Sequence, residues 1–174
     1  MADVNGNLEQ EVSAPPTTSY REIITKSICG TGKQDFRYSE SLTLVSGRIP
    51  SSILGSSVTR VRLTEPLITE ISNDGNKSVR VSGTFDLNVW YSYNDDQATD
   101  VAKETVKFTE LVPIDEISEC ITGQMDSRAV LVKAPQAHKT IISEANKIQV
   151  DVELGLYAEI VGETKIVVQV YEDQ

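Results

Sequence analysis

The chain has 174 residues, 39% of them hydrophobic, and carries 26 acidic against 16 basic side chains for a net charge of −10. That length suits one domain, or one domain with a tail, and a core that buries roughly 70% of the unfolded surface. An acidic excess has the wrong sign for neutralising phosphates, so neither nucleic acid nor an anionic membrane is an expected partner. Mean hydropathy is −0.21, and no apolar run approaches the ~20 residues that span a bilayer.

Residues 1–18, "MADVNGNLEQEVSAPPTT", hold few bulky apolar residues and no period of 2 or 3.6. Such a segment does not bury enough surface to offset its ordering entropy, so it reads as a flexible tail. It is expected to be dispensable for folding. No basic stretch followed by an apolar one marks a secretory leader. From residue 19 to 174 the chain reads as a single all-β domain.

"GTGK" at 30–33 lacks the G-x-x-x-x-G-K-[ST] spacing of a phosphate cradle and reads as a loop. "SSVTRVRL" supplies a strand that ends before Pro66, and a second strand follows over Leu67–Ser72. Asn73-Asp74-Gly75 suits a three-residue hairpin loop. Its register sets Thr69 opposite Val79 and Leu67 opposite Val81.

Residues 79–93 alternate strictly. Val79, Val81, Gly83, Phe85, Leu87, Val89, Tyr91 and Tyr93 share one face, as period two requires of a half-buried strand. At ~3.3 Å per residue the run spans about 50 Å, which suggests a bend at Gly83 or membership of two sheets. A four-residue turn at Asn94–Gln97 then sets Tyr93 opposite Ala98, Phe85 opposite Val106 and Gly83 opposite Phe108. Asp100 and Glu104 fall on the apolar face in this register, a mismatch. Trp90 points to the second face beside Val101, where it serves as sandwiched core, as a carbohydrate platform or as a protein contact.

"PIDEISEC" (113–120) and "TIISEANK" (140–147) are the only places a short helix fits. His138 lies in "KAPQAHKT" and reads as a surface-loop residue. One histidine and two cysteines do not make a closed four-ligand zinc site. Cys29 and Cys120 read as reduced thiols, with an intermolecular disulfide as the alternative. Asp95-Asp96 and Asp115-Glu116 lack a D-x-D-x-D-G arrangement for calcium and read as turn residues. No catalytic motif is present, so neither enzyme activity nor a cofactor or metal is expected.

Ile148 to Ile160 and Thr164 to Val170 carry apolar residues at even positions. Joined at Val161-Gly162-Glu163, they read as a hairpin with Ala158 opposite Ile166 and Leu156 opposite Val168. That pairing sets Val167 and Tyr171 beside Tyr157 on the second face. "FDLNVWYSY" and "VELGLYAEI" resemble each other enough to suggest two related hairpin halves.

"SYREIITKSICGTGKQ" (19–34), "IPSSILG" (49–55), "LNVWYSYNDD" (87–96) and "EIVGETKIVVQV" (159–170) resemble, in this order, the CotE family of outer spore-coat morphogenetic proteins. More distant repeat domains of spore-envelope proteins share the "GTGK…P…IL" cadence. The resemblance implies a non-enzymatic scaffold that assembles around the forespore from the mother-cell cytoplasm and ends in the spore coat. It implies self-association and recruitment of outer-coat proteins onto a basement layer containing a SpoIVA-type ATPase. The chain ends at "VYEDQ", with little of the acidic tail found in relatives.

The fold expected is all-β, two packed antiparallel sheets in a sandwich or barrel, built from long hairpins around 67–93, 85–112 and 148–170. Trp90 with Val101, and Tyr157 with Val167 and Tyr171, are the expected self-assembly or partner surfaces. A β-sandwich module for a glycan or other ligand is the alternative function.

Overall fold

Period two governs nearly all of the chain, and the strands it produces are long. The structure, a computed structural model, describes residues 18–45, 47–71, 77–117 and 125–171. Among these residues lie seven strands and no helix: β1 Thr18–Thr43, β2 Pro50–Ile71, β3 Lys77–Tyr93, β4 Ala98–Pro113, β5 Glu116–Ile117, β6 Asp126–Glu144 and β7 Lys147–Tyr171. They form two open sheets, ordered β5-β1-β7-β6 and β2-β3-β4. The fold is therefore the all-β arrangement of antiparallel sheets expected, as a sandwich and not a barrel. Residues 1–17 of the predicted tail and the loop at 73–75 lie outside the described residues, while Thr18 opens β1.

The central hairpin forms in the expected register. Tyr93 pairs with Ala98, Val89 with Ala102, Phe85 with Val106, Gly83 with Phe108 and Val79 with Val112. Asn94, Asp95 and Asp96 make the turn with φ of 53°, 54° and 64°. These short polar residues tolerate the left-handed region better than most. Gly83 does not bend β3 into a second sheet. A side chain there would meet the Phe108 ring at 2.5 Å and the Arg62 carbonyl oxygen at 2.6 Å, so the glycine admits close packing. The mismatch at Asp100 is resolved by Arg48, which pairs with its carboxylate and stacks over the Tyr93 ring at 4.8 Å. Glu104 stays exposed.

Several expectations fail. Residues 148–170 do not form a hairpin: β7 runs unbroken through Gly162. Ala158 pairs with Ala129 and Leu156 with Leu131, both on β6. Apolar residues keep their even phase across 161–163, as an uninterrupted strand demands. The supposed second hairpin half therefore has no turn. Nor is "TIISEANK" a helix. It closes the β6–β7 hairpin, with Glu144 paired to Lys147 and their charges 2.8 Å apart. Residues 113–117 finish β4 and form β5, also without helix. β2 passes through Pro66, and the expected Leu67–Val81 pair falls in the register shift between Thr64 and Ile68. An edge strand with bulges accepts a residue that has no N–H to give. "GTGK" lies within β1, not in a loop.

The chain divides into two compact units, Lys26–Thr164 and Met1–Thr25 with Lys165–Gln174. In the larger, the inner faces of both sheets make one core. Phe85, Leu87 and Val89 of β3 and Leu154 and Leu156 of β7 are all 0% exposed. Contacts Arg37–Glu153, Ser39–Asp151 and Leu44–Asn146 advance on β1 while receding towards and along β7, which fixes β1 and β7 as antiparallel. In the smaller unit Glu22 and Lys165 form an ion pair.

Candidate functional site

Five residues were expected to form two surfaces, and the structure assembles one of them. Trp90 and Val101 are direct cross-strand partners on the outer face of the β2-β3-β4 sheet. Trp90 is 42% exposed, so it is not sandwiched core. The hairpin that was expected to set Val167 and Tyr171 beside Tyr157 does not form. Tyr157 faces Val130 of β6, itself exposed, and its hydroxyl donates to Glu159 Oε2 at 3.3 Å. Partial burial and that carboxylate push the Tyr157 phenol up. Val167 and Tyr171 belong to the smaller unit, where both are largely exposed.

The most elaborate polar cluster escaped the sequence. His138 is not on a loop: it lies on β6, and its Nε2 is 2.8 Å from Glu153 Oε2. Lys133 Nζ and Arg37 reach the other oxygen, Oε1, at 2.9 and 3.8 Å. Three cationic or protonatable groups on two flanking strands thus converge on one nearly buried carboxylate of β7. Beside it Ser39 Oγ donates to Asp151 Oδ1 at 2.8 Å and accepts from Gln149 Nε2 at 2.6 Å. A cavity of about 560 Å³ opens here, lined by Arg37, Tyr38, Ser39, His138 and Asp151 among others.

Both Glu153 oxygens are engaged, so the carboxylate is a clamp across β1, β7 and β6 and not a free base. The hydrogen bond from Lys133, with the charges of Lys133, Arg37 and His138, holds its carboxyl below the usual carboxylate range, against the opposing effect of burial. A carboxyl that binds its proton more weakly when folded stabilises the fold above the unfolded pKa, and loses that contribution as pH falls through the folded value. Glu153→Gln is therefore expected to lower the melting temperature at neutral pH. It should also flatten the acid limb of the melting temperature against pH, a difference readable by scanning calorimetry from pH 7 to pH 3. Equal slopes for both proteins would refute the clamp.

Among the described residues no group of three or more His, Cys, Asp and Glu side chains is placed to hold a metal. Asp96 accepts from the Ser92 hydroxyl and, at 3.0 Å, from Ser52, which makes it a turn residue as expected. Those bonds, Ser92 first, hold its carboxyl low. Cys29 corrects the expectation of two reduced thiols: it is buried and disulfide-bonded. Cys120, the other cysteine of the sequence, lies outside the described residues.

No curated protein and no solved structure matches the chain. The family model for outer spore coat protein E matches residues 19–174, from the first strand to the last residue. That span takes in both sheets, the Trp90 face and the Glu153 cluster, and the chain accordingly belongs to the CotE family, structural proteins of the outer spore coat.

Proposed function

We propose that the chain is a non-enzymatic scaffold that self-assembles and organises the outer spore coat. In this reading it gathers around the forespore from the mother-cell cytoplasm and recruits other coat proteins onto a basement layer containing a SpoIVA-type protein. The observation that carries the reading is the number of large apolar side chains left on outer strand faces. Trp90 is 42% exposed, Val130 52%, Tyr171 61% and Val167 64%. Cross-strand neighbours such as Trp90–Val101 and Tyr157–Val130 make contiguous apolar ground, the kind that marks protein contacts.

Light scattering of the wild type at tens of micromolar should report a mass well above one chain. Trp90→Glu is expected to reduce that mass while leaving the melting temperature near that of the wild type, since exposed substitutions rarely shift stability by more than about 0.5 kcal/mol. A wild type that stays monomeric ends the scaffold reading. Exposure of Trp90 also suits the alternative, a β-sandwich module for a glycan, for which a glycan array on the monomer is the direct test.

A further inference from the structure

The two outer sheet faces of the larger unit handle charge differently. On the β5-β1-β7-β6 sheet three cations meet nearly buried carboxylates, Arg37 and Lys133 at Glu153 and Arg128 at Glu159. On the β2-β3-β4 sheet a second set of three stands unmatched. Register sets Arg62, Thr84 and Lys107 in one outward row and Ser57, Asn88 and Lys103 in another. Arg62, Lys103 and Lys107 are exposed, and among the described residues none of the three has an ion-pair partner.

Between those rows stands Asp86, whose carboxylate is taken up by Arg60 at 3.7 Å and by the Thr105 hydroxyl at 2.7 Å. From the Ser82 row to the Trp90 row it is the one acidic residue at an outward position, and Glu104 belongs by alternation to the opposite face. The other outward positions are mostly threonine and serine, and Trp90 with Val101 closes one end of the stretch. A chain of 26 acidic and 16 basic residues thus carries a cationic face with an apolar end. What lies outside that face is more acidic than the net charge of −10.

We propose that this face takes an acidic surface of a second copy, head to tail. Two copies set face to face would bring cation against cation, a costly arrangement, so the contact is not isologous. Lys103 and Lys107 stand about 13 Å apart along β4, and Arg62 and Lys107 about 10 Å apart across three strands. Charge is screened within about 8 Å at physiological ionic strength, so each cation acts on the carboxylate set directly against it. The net charge of the approaching copy then matters less than its local groups. Trp90 and Val101 add apolar contact beside Arg62 and the lysines, and aromatic residues and arginine are both enriched in protein interfaces. A contact between two different surfaces does not end at a dimer: it grows into a ring or a filament. This inference rests on the self-assembly reading and gives that assembly a polarity.

The test uses the full chain, in which Trp90 is the only tryptophan and so reports on the face directly. Light scattering and tryptophan emission are followed together as the wild type is concentrated. Mass should pass two chains without a plateau, and emission should shift to the blue as Trp90 leaves water. Both changes should weaken when ionic strength rises from about 0.1 M to about 1 M, which shortens the screening length from ~10 to ~3 Å. Lys107→Glu should weaken association roughly tenfold or more and lose the blue shift, and Lys107→Gln should do so to a smaller degree. Lys139→Glu, the same charge change at an exposed residue of β6, should do neither. The Lys107→Glu protein keeps its acidic surface but offers no cationic face. Mixed with the wild type it should therefore cap growing assemblies and lower their mass beyond simple dilution. A wild type that responds equally to Lys107→Glu and Lys139→Glu, or that stops at a dimer the variant does not cap, overturns the head-to-tail contact and leaves self-assembly standing. A monomeric wild type overturns both.

Discussion

Replacing Phe85 with alanine is expected to cost about 3–5 kcal/mol, the range for deleting a buried aromatic ring. Phe85 is 0% exposed and stands between the sheets. Its ring centroid lies 6.2 Å from those of Tyr38 on β1 and Phe108 on β4, in tilted pairs of the kind that add to simple burial. Tyr38 is anchored in turn by its hydroxyl, which donates to Glu110 Oε1 at 2.9 Å. Burial and that carboxylate raise the Tyr38 phenol, so the donor stays protonated. Loss of the Phe85 ring therefore leaves a cavity that neither partner is free to fill. A domain of ordinary stability holds about 5–15 kcal/mol, so urea denaturation should show a midpoint shifted by a large fraction of its value. A shift of less than about 1 kcal/mol would mean that the aromatic trio does not join the sheets.

Gly32→Ala should be comparably damaging for a different reason. A Cβ at residue 32 would sit 1.8 Å from the carbonyl oxygen of Pro113, inside any allowed contact. The obstruction is backbone, so no rotamer relieves it, and the β1 segment must move away from the end of β4. Such movement also threatens the bond from Asp115 N to Thr31 O at 3.1 Å, which ties β5 to β1. Overpacking of this kind costs about 3 kcal/mol. Gly55 supplies the control, because nothing lies within 4 Å of a Cβ there. Thermal melts should separate the two alanine variants clearly; equal melting temperatures would show that β1 and the β4–β5 junction yield easily.

These two positions also show what the sequence could and could not reveal. Phe85 was legible because Val79 to Tyr93 alternate without error and the Asn94–Gln97 turn sets one register for the pair β3–β4. Gly32 was not, since its neighbour Pro113 comes from a distant strand and "GTGK" taken locally looks like a loop. The same limit hid the Glu153 cluster. Arg37, Lys133 and His138 meet one carboxylate only through pairing of β1, β7 and β6, and a polar stretch with a proline three residues before the histidine gives no local sign of a strand. β6 was invisible for a second reason. As an edge strand it leaves Val130 and Val132 half exposed while Ala129 and Leu131 face inward, so both faces are apolar and the period fades. The false hairpin at 148–170 arose from the opposite condition: the alternation is so regular that a turn of three residues and no turn at all keep the same phase.

Strand order has a bearing on the timing of folding. β2, β3 and β4 are consecutive in the chain and adjacent in their sheet, so that sheet is complete soon after residue 113 is made. The other sheet pairs β1 with β7, the first and last strands of the described residues. Its central ladder therefore waits until nearly the whole chain has been synthesised, and closing so long a loop is slow. Until then the apolar inner face of β3 has no opposing layer, and a nascent chain is most prone to join another copy during this interval. For this outer spore coat protein, the order of synthesis thus sets a delay between the first complete sheet and the finished fold.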